Sequence, residues 1–307
     1  MTHYYSLNDY CRNEFGKKLY KLSLDGAMTC PNRDGTVGTG GCIFCSEEGS
    51  GEFSAKRCGD INTQIENAKT RVAHKNRNGG YIAYFQSFTN TYAPVEYLKE
   101  IFTEAINHPD IDVLSVATRP DCLGNDVIAL LKELNTVKPV WVELGFQTSN
   151  EISALFIRRG YANEVFVDAV KRLSDAGIKT VAHIIAGLPG ETYDDIENSV
   201  RFVCNCGIWG IKIHLLHVLK GTDLETLYNN GEFSCLEMDE YLSYICRLVE
   251  IIPPDIVIHR LTGDGDKKKL IAPLWSGDKK RVLNELAKKM NENKIIQGNL
   301  YNIIKNT

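Results

Sequence analysis

The sequence lacks several features that mark other classes of protein. No apolar run approaches the roughly 20 residues needed to span a bilayer, and residues 1–5 lack the basic start and apolar run of a signal peptide. Ten cysteines in 307 residues are too few for a disulfide-scaffolded secreted chain. The formal net charge of −4 gives no overall attraction to nucleic acid. These absences favour a cytoplasmic globular protein without a membrane partner, in which any polyanion must meet a local basic patch.

What the sequence does contain is a regular alternation of strand and helix patterns. Strands are predicted at 19–28, 81–85, 113–117, 140–146, 180–186, 211–216 and 256–259, and helices at 61–75, 95–107, 126–134, 165–176, 194–206, 238–251 and 278–291. This order predicts an α/β fold with a parallel sheet, either doubly wound or curled into a barrel. No linker or low-complexity tract divides residues 20–260, so we expect one domain there, with an arm at 1–19 and a basic helical extension at 261–307.

Three cysteines follow the first predicted strand. Cys30, Cys42 and Cys45 are separated by eleven and two residues in a glycine-rich stretch. Three thiolates can hold one metal centre and leave a position open, whereas structural zinc is nearly always four-coordinate. We therefore favour an open iron-sulfur site. The alternative is a zinc ribbon completed by Cys58 or a histidine.

Polar groups follow the other predicted strands, where a parallel barrel carries its functional residues. Glu143 and Gln147 share one alternation on the fourth strand, so both can face the interior, and a buried Glu143 would need a ligand or Arg119 as its partner. His214 and His217, three residues apart, are expected on opposite sides of the sixth strand. His183 is expected to be a satisfied core histidine.

The carboxyl-terminal extension is locally basic. Its predicted helix carries Lys279, Lys280, Arg281, Lys288 and Lys289. A solvated face is the simpler interpretation, and an electrostatic footing for a nucleic acid is the functional one.

Several motifs together resemble the radical S-adenosylmethionine (SAM) superfamily, in its branch similar to the Elongator catalytic subunit and its bacterial YhcC/YtqA-like subgroup. They are Cys-Pro-Asn-Arg-Asp-Gly at 30–35, Gly-Cys-Ile-Phe-Cys at 41–45, Tyr-Phe-Gln at 84–86, Asn-Thr-Tyr-Ala-Pro at 90–94, Thr-Arg-Pro-Asp at 118–121, Glu-Leu-Gly-Phe-Gln at 143–147, Gly-Leu-Pro-Gly-Glu at 187–191 and His-Arg-Leu-Thr-Gly-Asp at 259–264. The long gap between the first two cysteines is typical of this subgroup.

The resemblance implies a partial (β/α)6 TIM-type barrel with a [4Fe-4S] cluster on Cys30, Cys42 and Cys45, and SAM chelated to its fourth iron. Other assignments follow from matching positions. Gln86 and Ser87 fall where the superfamily binds the SAM amino group, although its glutamate is absent here. Glu143 and Gln147 would face the ribose, and the Gly187, Gly190 and Glu191 turn would lie along the adenine. Arg119, Asn90 and Tyr92 are candidates for contact with substrate or the SAM carboxylate.

The resemblance also implies a substrate, the wobble uridine of tRNA, whose 5-carboxymethylaminomethyl group would be trimmed to 5-aminomethyl. An electron donor such as flavodoxin or ferredoxin and a separate methyltransferase for a later step are the other implied partners. Two alternatives stay open: a radical SAM enzyme acting on a small metabolite or a protein, and a non-catalytic, zinc-stabilised tRNA-binding adaptor.

Overall fold

The computed structural model describes residues 2–46, 49, 59–74, 76, 78–263, 265 and 267–301. Cys58, the alternative fourth zinc ligand, lies outside the described residues. The strands are β1 Leu19–Leu24, β2 Gly80–Phe85, β3 Ile111–Thr118, β4 Val140–Gln147, β5 Lys179–Ala186, β6 Gly210–Leu215, β7 Val218–Leu219, β8 Val257–Arg260 and β9 Leu270–Ala272. The helices are α1 Leu7–Phe15, α2 Ile61–Val72, α3 Val95–Asn107, α4 Asn125–Asn135, α5 Glu151–Phe156, α6 Asn163–Asp175, α7 Tyr193–Asn205, α8 Asp223–Asn229, α9 Met238–Ile251 and α10 Lys279–Glu292.

Seven of these strands form one parallel sheet in the order β1-β2-β3-β4-β5-β6-β8. Strands that follow each other in sequence are neighbours, so each crossover helix packs on the same outer side, and the sheet curls into a half-barrel. This confirms the partial barrel. The predicted strand at 256–259 becomes β8, which extends the sheet beyond β6 as a seventh parallel strand.

The crossover helices form because their apolar positions recur at helical spacing. In α3, Leu98, Ile101, Phe102 and Ala105 face the sheet and are buried. The predicted bounds of α3 and α9 match the structure at both ends. The short helices α5 and α8 and the antiparallel pair β7–β9 were not predicted, since each is too short to show a clear period.

An apolar layer closes the amino end of the barrel. Inward side chains at the start of the strands, among them Ile82, Val113 and Trp141, are fully buried there. Tyr10 of α1 packs edge-on against this layer, with ring centroids 6.0 Å from Trp141 and 4.8 Å from Trp209. The amino-terminal arm is therefore part of the barrel floor.

The two ends of the described chain meet at β8. The His3 ring bonds to the Ile295 carbonyl over 2.8 Å, and the Tyr5 amide donates to Gln297 over 2.7 Å. Helix α10 packs on α9 through Val282, Leu286 and Met290. The division at residues 1–19, 20–260 and 261–307 stays a prediction.

Across the described ranges, no helix combines the length and the apolar character that crossing a membrane requires.

Candidate active site

A cavity of about 490 Å³ opens at the carboxyl ends of the strands. Its wall combines the cysteine loop with inward side chains of β1, β2, β4, β5 and β6. These inward residues alternate along each strand, as Lys21 and Ser23 do on β1 and Lys212 and His214 do on β6. The cavity is therefore the interior of the half-barrel above its apolar floor.

The cysteine loop is folded by its own backbone. The Pro31 carbonyl accepts from the amides of Val37 at 2.9 Å and Gly38 at 3.2 Å, and the Gly41 amide donates to the Asn32 carbonyl over 2.8 Å. Gly40 and Gly41 both have positive φ, at 81° and 83°, which a side chain would strain. The side-chain amide of the buried Asn32 donates to the Arg158 carbonyl over 2.6 Å and fixes the loop to the segment after β4.

This folding brings Cys30, Cys42 and Cys45 together at the mouth of the cavity. A hydrogen bond from Cys45 lowers the pKa of Cys42 to about 7. Burial acts in the opposite direction, and the positive charge of Arg119 adds to the lowering. The same bond and burial raise the pKa of Cys45 well above its ordinary value. A bound metal centre would displace the thiol protons, because only thiolates act as ligands.

The spacing of the three sulfur atoms bears on which metal group fits. Among the described residues, the three cysteines do not form a set whose sulfur atoms are close enough to bind a single ion together. Four-coordinate zinc at a Zn–S distance of about 2.3 Å holds its sulfurs only ~3.8 Å apart. A [4Fe-4S] cluster presents a different iron to each thiolate, so the wider arrangement suits a cluster better.

Below the cysteines lies a charged layer, a name used here for Lys21, Glu143, His183 and Lys212. Glu143 is fully buried at its centre. Its Oε1 accepts from Lys21 at 2.6 Å and from Ser115 at 2.9 Å. Its Oε2 accepts from Lys212 and, over 2.8 Å, from His183 Nε2. All the acceptor capacity of the carboxylate is therefore in use.

Electrostatics in this layer favour ionised Glu143 and neutral imidazoles. Burial opposes ionisation of Glu143, but Lys21 and Lys212 hold its pKa well below the usual range. Burial, and then the Lys212 charge, lower the pKa of His183 to about 4. Burial also lowers the pKa of His214 well below its ordinary value. Both rings are therefore neutral near pH 7, with ring centroids 5.3 Å apart.

Two expectations about this region were wrong. Glu143 is not paired with Arg119, whose guanidinium binds Asp121 at 2.9 and 2.7 Å and the Arg159 carbonyl at 2.8 Å. His214 and His217 do not diverge but line the same cavity, because β6 ends at Leu215 and strand alternation no longer holds at position 217.

The structure gathers only some of the predicted cofactor residues. Gln86, Arg119, Glu143 and Gln147 line the cavity together with the three cysteines. The remaining candidates, which stay predictions, are absent from the described lining: Ser87, Asn90, Tyr92, Gly187, Gly190 and Glu191.

Several of those side chains are held by other contacts. Asn90 donates to the Ala117 carbonyl over 2.8 Å, the Tyr92 hydroxyl bonds to Thr36 over 2.8 Å, and Glu191 accepts from Thr148 over 2.5 Å.

Lys21 and Lys212 were not predicted from the sequence, and His183 was expected to be a satisfied core histidine. A signal for the lysines was available. Lys21 lies one residue before Leu22, and Lys212 lies between Ile211 and Ile213, in strands whose apolar positions face the outer helices. Strand alternation then directs both lysines inward.

The basic residues of α10 lie on its outer side. Lys280, Arg281 and Lys288 are exposed, and Lys289 pairs with Asp239 of α9 over 2.6 Å. The helix presents cations to solvent, which fits either of the two interpretations given for this extension.

Comparison with known proteins gives a consistent result. Residues 34–203 match the family described as the radical SAM superfamily, and residues 208–292 match the radical SAM C-terminal domain. YtqA of Bacillus subtilis is 45% identical over 298 residues, which cover 97% of this chain and 92% of YtqA. A tRNA uridine(34) acetyltransferase of Methanocaldococcus jannaschii is 27% identical, over 58% of this chain but only 32% of its own length.

Among solved structures, the archaeal Elp3 of Methanocaldococcus infernus superposes with a TM-score of 0.68 at 16% identity, covering 92% of this chain and 67% of that one. At this identity the likeness concerns the fold.

Proposed function

This chain belongs to the radical SAM superfamily, whose members use a [4Fe-4S] cluster and SAM, and on that premise we propose that it modifies the wobble uridine of tRNA. The observation that supports its radical chemistry is the meeting of Cys30, Cys42 and Cys45 at the mouth of one cavity. The relative named as a tRNA uridine(34) acetyltransferase and the exposed cations of α10 support tRNA as substrate.

When bound, the cluster and SAM supply a 5′-deoxyadenosyl radical that takes a hydrogen atom from the substrate. The residues of the chain hold and enclose these groups. Cys30, Cys42 and Cys45 would be the cluster ligands. Gln86 and Gln147, which line the cavity, would bind SAM. Among the described residues, Arg119 uses three of its five N–H groups, so two are available for a carboxylate.

The reaction we propose removes a carboxymethyl group from the amine of 5-carboxymethylaminomethyluridine. Its methylene carbon is oxidised by two electrons, losing one hydrogen atom and one electron. Water then adds at that carbon, the carbon–nitrogen bond breaks, and 5-aminomethyluridine, glyoxylate and a proton leave. SAM is the oxidant overall and ends as methionine and 5′-deoxyadenosine, so the electron that starts the reaction is returned.

Partners and compartment follow from this chemistry. An electron donor such as flavodoxin or ferredoxin would reduce the cluster before the first turnover, and a separate methyltransferase would act on the aminomethyl product. We infer the cytoplasm as the compartment, because thiolate ligands and a low-potential reductant need reducing conditions.

The proposal is tested by mass spectrometry of tRNA nucleosides from a deletion strain. We expect 5-carboxymethylaminomethyluridine to accumulate, wild-type protein to restore the aminomethyl series, and Cys42→Ala protein to fail. Unchanged nucleosides in the deletion strain would remove tRNA as substrate and favour a small metabolite or a protein.

A further inference from the structure

We propose that the charged layer is a carboxylate-binding subsite, in which Lys21 and Lys212 hold the carboxylate of the substrate's carboxymethylamino group. This rests on the proposed function, and it assigns substrate recognition to Lys21 and Lys212, two residues outside the set proposed to hold the cluster and SAM.

Cationic side chains outnumber carboxylates in the described lining of the cavity. The described lining of the cavity contains six cationic side chains and one carboxylate, namely Lys21, Arg33, Arg119, Arg159, Lys212 and Arg260 against Glu143. Arg33, Arg119 and Arg159 donate to carbonyls or to Asp121 around the cysteine loop and the segment after β4. Lys21 and Lys212 lie deeper and share the single carboxylate of Glu143.

Lys21 and Lys212 have N–H donors that no described residue uses. An ammonium group has three N–H donors. Among the described residues, Lys212 donates to Glu143 and, over 3.2 Å, to the Tyr84 hydroxyl, while Lys21 donates to Glu143 alone. Both ammonium groups also lie over the Tyr84 ring, 4.3 and 4.7 Å from its centroid. Donors therefore remain for a ligand in the cavity.

His214 places a buried ring nitrogen beside the charged layer. Nε2 of His214 has no hydrogen-bond partner among the described residues and is shielded from solvent. His214 lines the cavity next to His183. A buried polar atom without a partner is costly, and a ligand that bonds to it removes that cost.

The proposed subsite lies apart from the SAM carboxylate. SAM would be held at the cluster, beside the cysteine loop. Lys21 lies two residues before Ser23, and Glu143 lies two residues before Gly145. Ser23 and Gly145 are the next inward positions on their strands, so the charged layer lies about 7 Å deeper in the barrel than these two residues.

The test uses reconstituted protein loaded with SAM and two probes, N-methylglycine and N-methylglycinamide, which share the amine and differ in having a carboxylate or an uncharged carboxamide. Isothermal titration should show at least tenfold tighter binding of the acid. Lys212→Met and Lys21→Met should abolish this preference, and Lys212→Arg should retain it. Lys179→Met, which removes a lysine bonded to Tyr10 on the apolar floor, is the matched control and should leave the preference intact.

Two further measurements make the proposal falsifiable. The Kd of SAM should stay within about twofold in Lys212→Met, and a tenfold weakening would assign the lysine to SAM and overturn the proposal. Equal binding of acid and amide by the wild type would also overturn it, even if tRNA is the substrate. A retained preference alongside unchanged tRNA nucleosides would instead refute only the proposed function.

Discussion

Lys21 on β1 and Glu143 on β4 form an ion pair of 2.6 Å across the inside of the barrel. The two strands are three positions apart in the sheet, so in a flat sheet they would be about 14 Å apart. Lys212, two strands beyond Glu143 on the other side, reaches the same carboxylate. The Glu143 carboxylate therefore links β4 to both β1 and β6 and stabilises the curl of the sheet.

Glu143→Gln should destabilise the fold by about 3–5 kcal/mol, because it leaves two ammonium groups in the interior without their counter-ion. Equilibrium urea unfolding measures the change. The control is Glu133→Gln, which breaks the exposed pair with Lys99 and should cost less than about 1 kcal/mol. Equal losses in the two variants would contradict a structural role for the buried carboxylate.

Stability should fall as the pH is lowered from about 6.5 towards 4. The pKa of His183 in the folded protein is about 4, below its ordinary value, so the unfolded chain binds a proton first in this range. Each such histidine contributes about 1.4 kcal/mol per pH unit, and His214 acts in the same direction.

Urea unfolding of His183→Gln at several pH values checks this prediction. The slope of unfolding free energy against pH should decrease by about 1.4 kcal/mol per unit relative to wild type. His74→Gln, at an exposed position, is the control and should leave the slope unchanged. A parallel slope in His183→Gln and wild type would show that the imidazole does not titrate as described.

Cys42→Ala should lose the iron-sulfur centre. Anaerobically reconstituted wild type should bind about four irons and produce 5′-deoxyadenosine from SAM with a reductant, and the variant should do neither. Cys206→Ser, at the end of α7 and away from the cavity lining, is the control and should retain both properties. A colourless wild-type protein holding zinc would instead favour the tRNA-binding adaptor.

Neutralising α10 should weaken tRNA binding in a salt-dependent manner. Each lost phosphate contact lowers the slope of log affinity against log salt by about 0.7–0.9. The triple variant Lys280→Ala, Arg281→Ala, Lys288→Ala should therefore lower the slope by about 2–3. A triple variant of Lys99, Lys132 and Lys171 removes the same charge from outer helices and should change it little. Equal effects would show that α10 is only a solvated face.

Much of the fold could be predicted because its signals are local. Apolar runs located every strand of the large sheet, and helical periodicity located α3 and α9 to the residue. The cysteine loop was recognisable because its three ligands lie within one short segment, and their spacing does not depend on how the rest of the chain folds. Helix α5 was not predicted, because six residues show too little periodicity, although Asn150 caps the helix.

The partners inside the barrel could not be predicted in the same way. Which cation reaches Glu143 depends on how far the sheet curls, and the sequence contains no local measure of that curl. Arg119 follows β3, the neighbour of β4, and so was the nearer candidate for pairing with Glu143. Its guanidinium instead forms an ion pair with Asp121, two residues later. Lys21 and Lys212 become evident only when strand alternation is combined with the curl.

The amino-terminal arm also has a practical consequence for measurement. Because α1 packs at the amino ends of the strands, the first described residues emerge on the face opposite the cysteine loop. A protein immobilised through its amino terminus would therefore present the cavity mouth to solution. Surface-based titration with tRNA should then report unobstructed access, and attachment through an engineered thiol near the cysteine loop should block it.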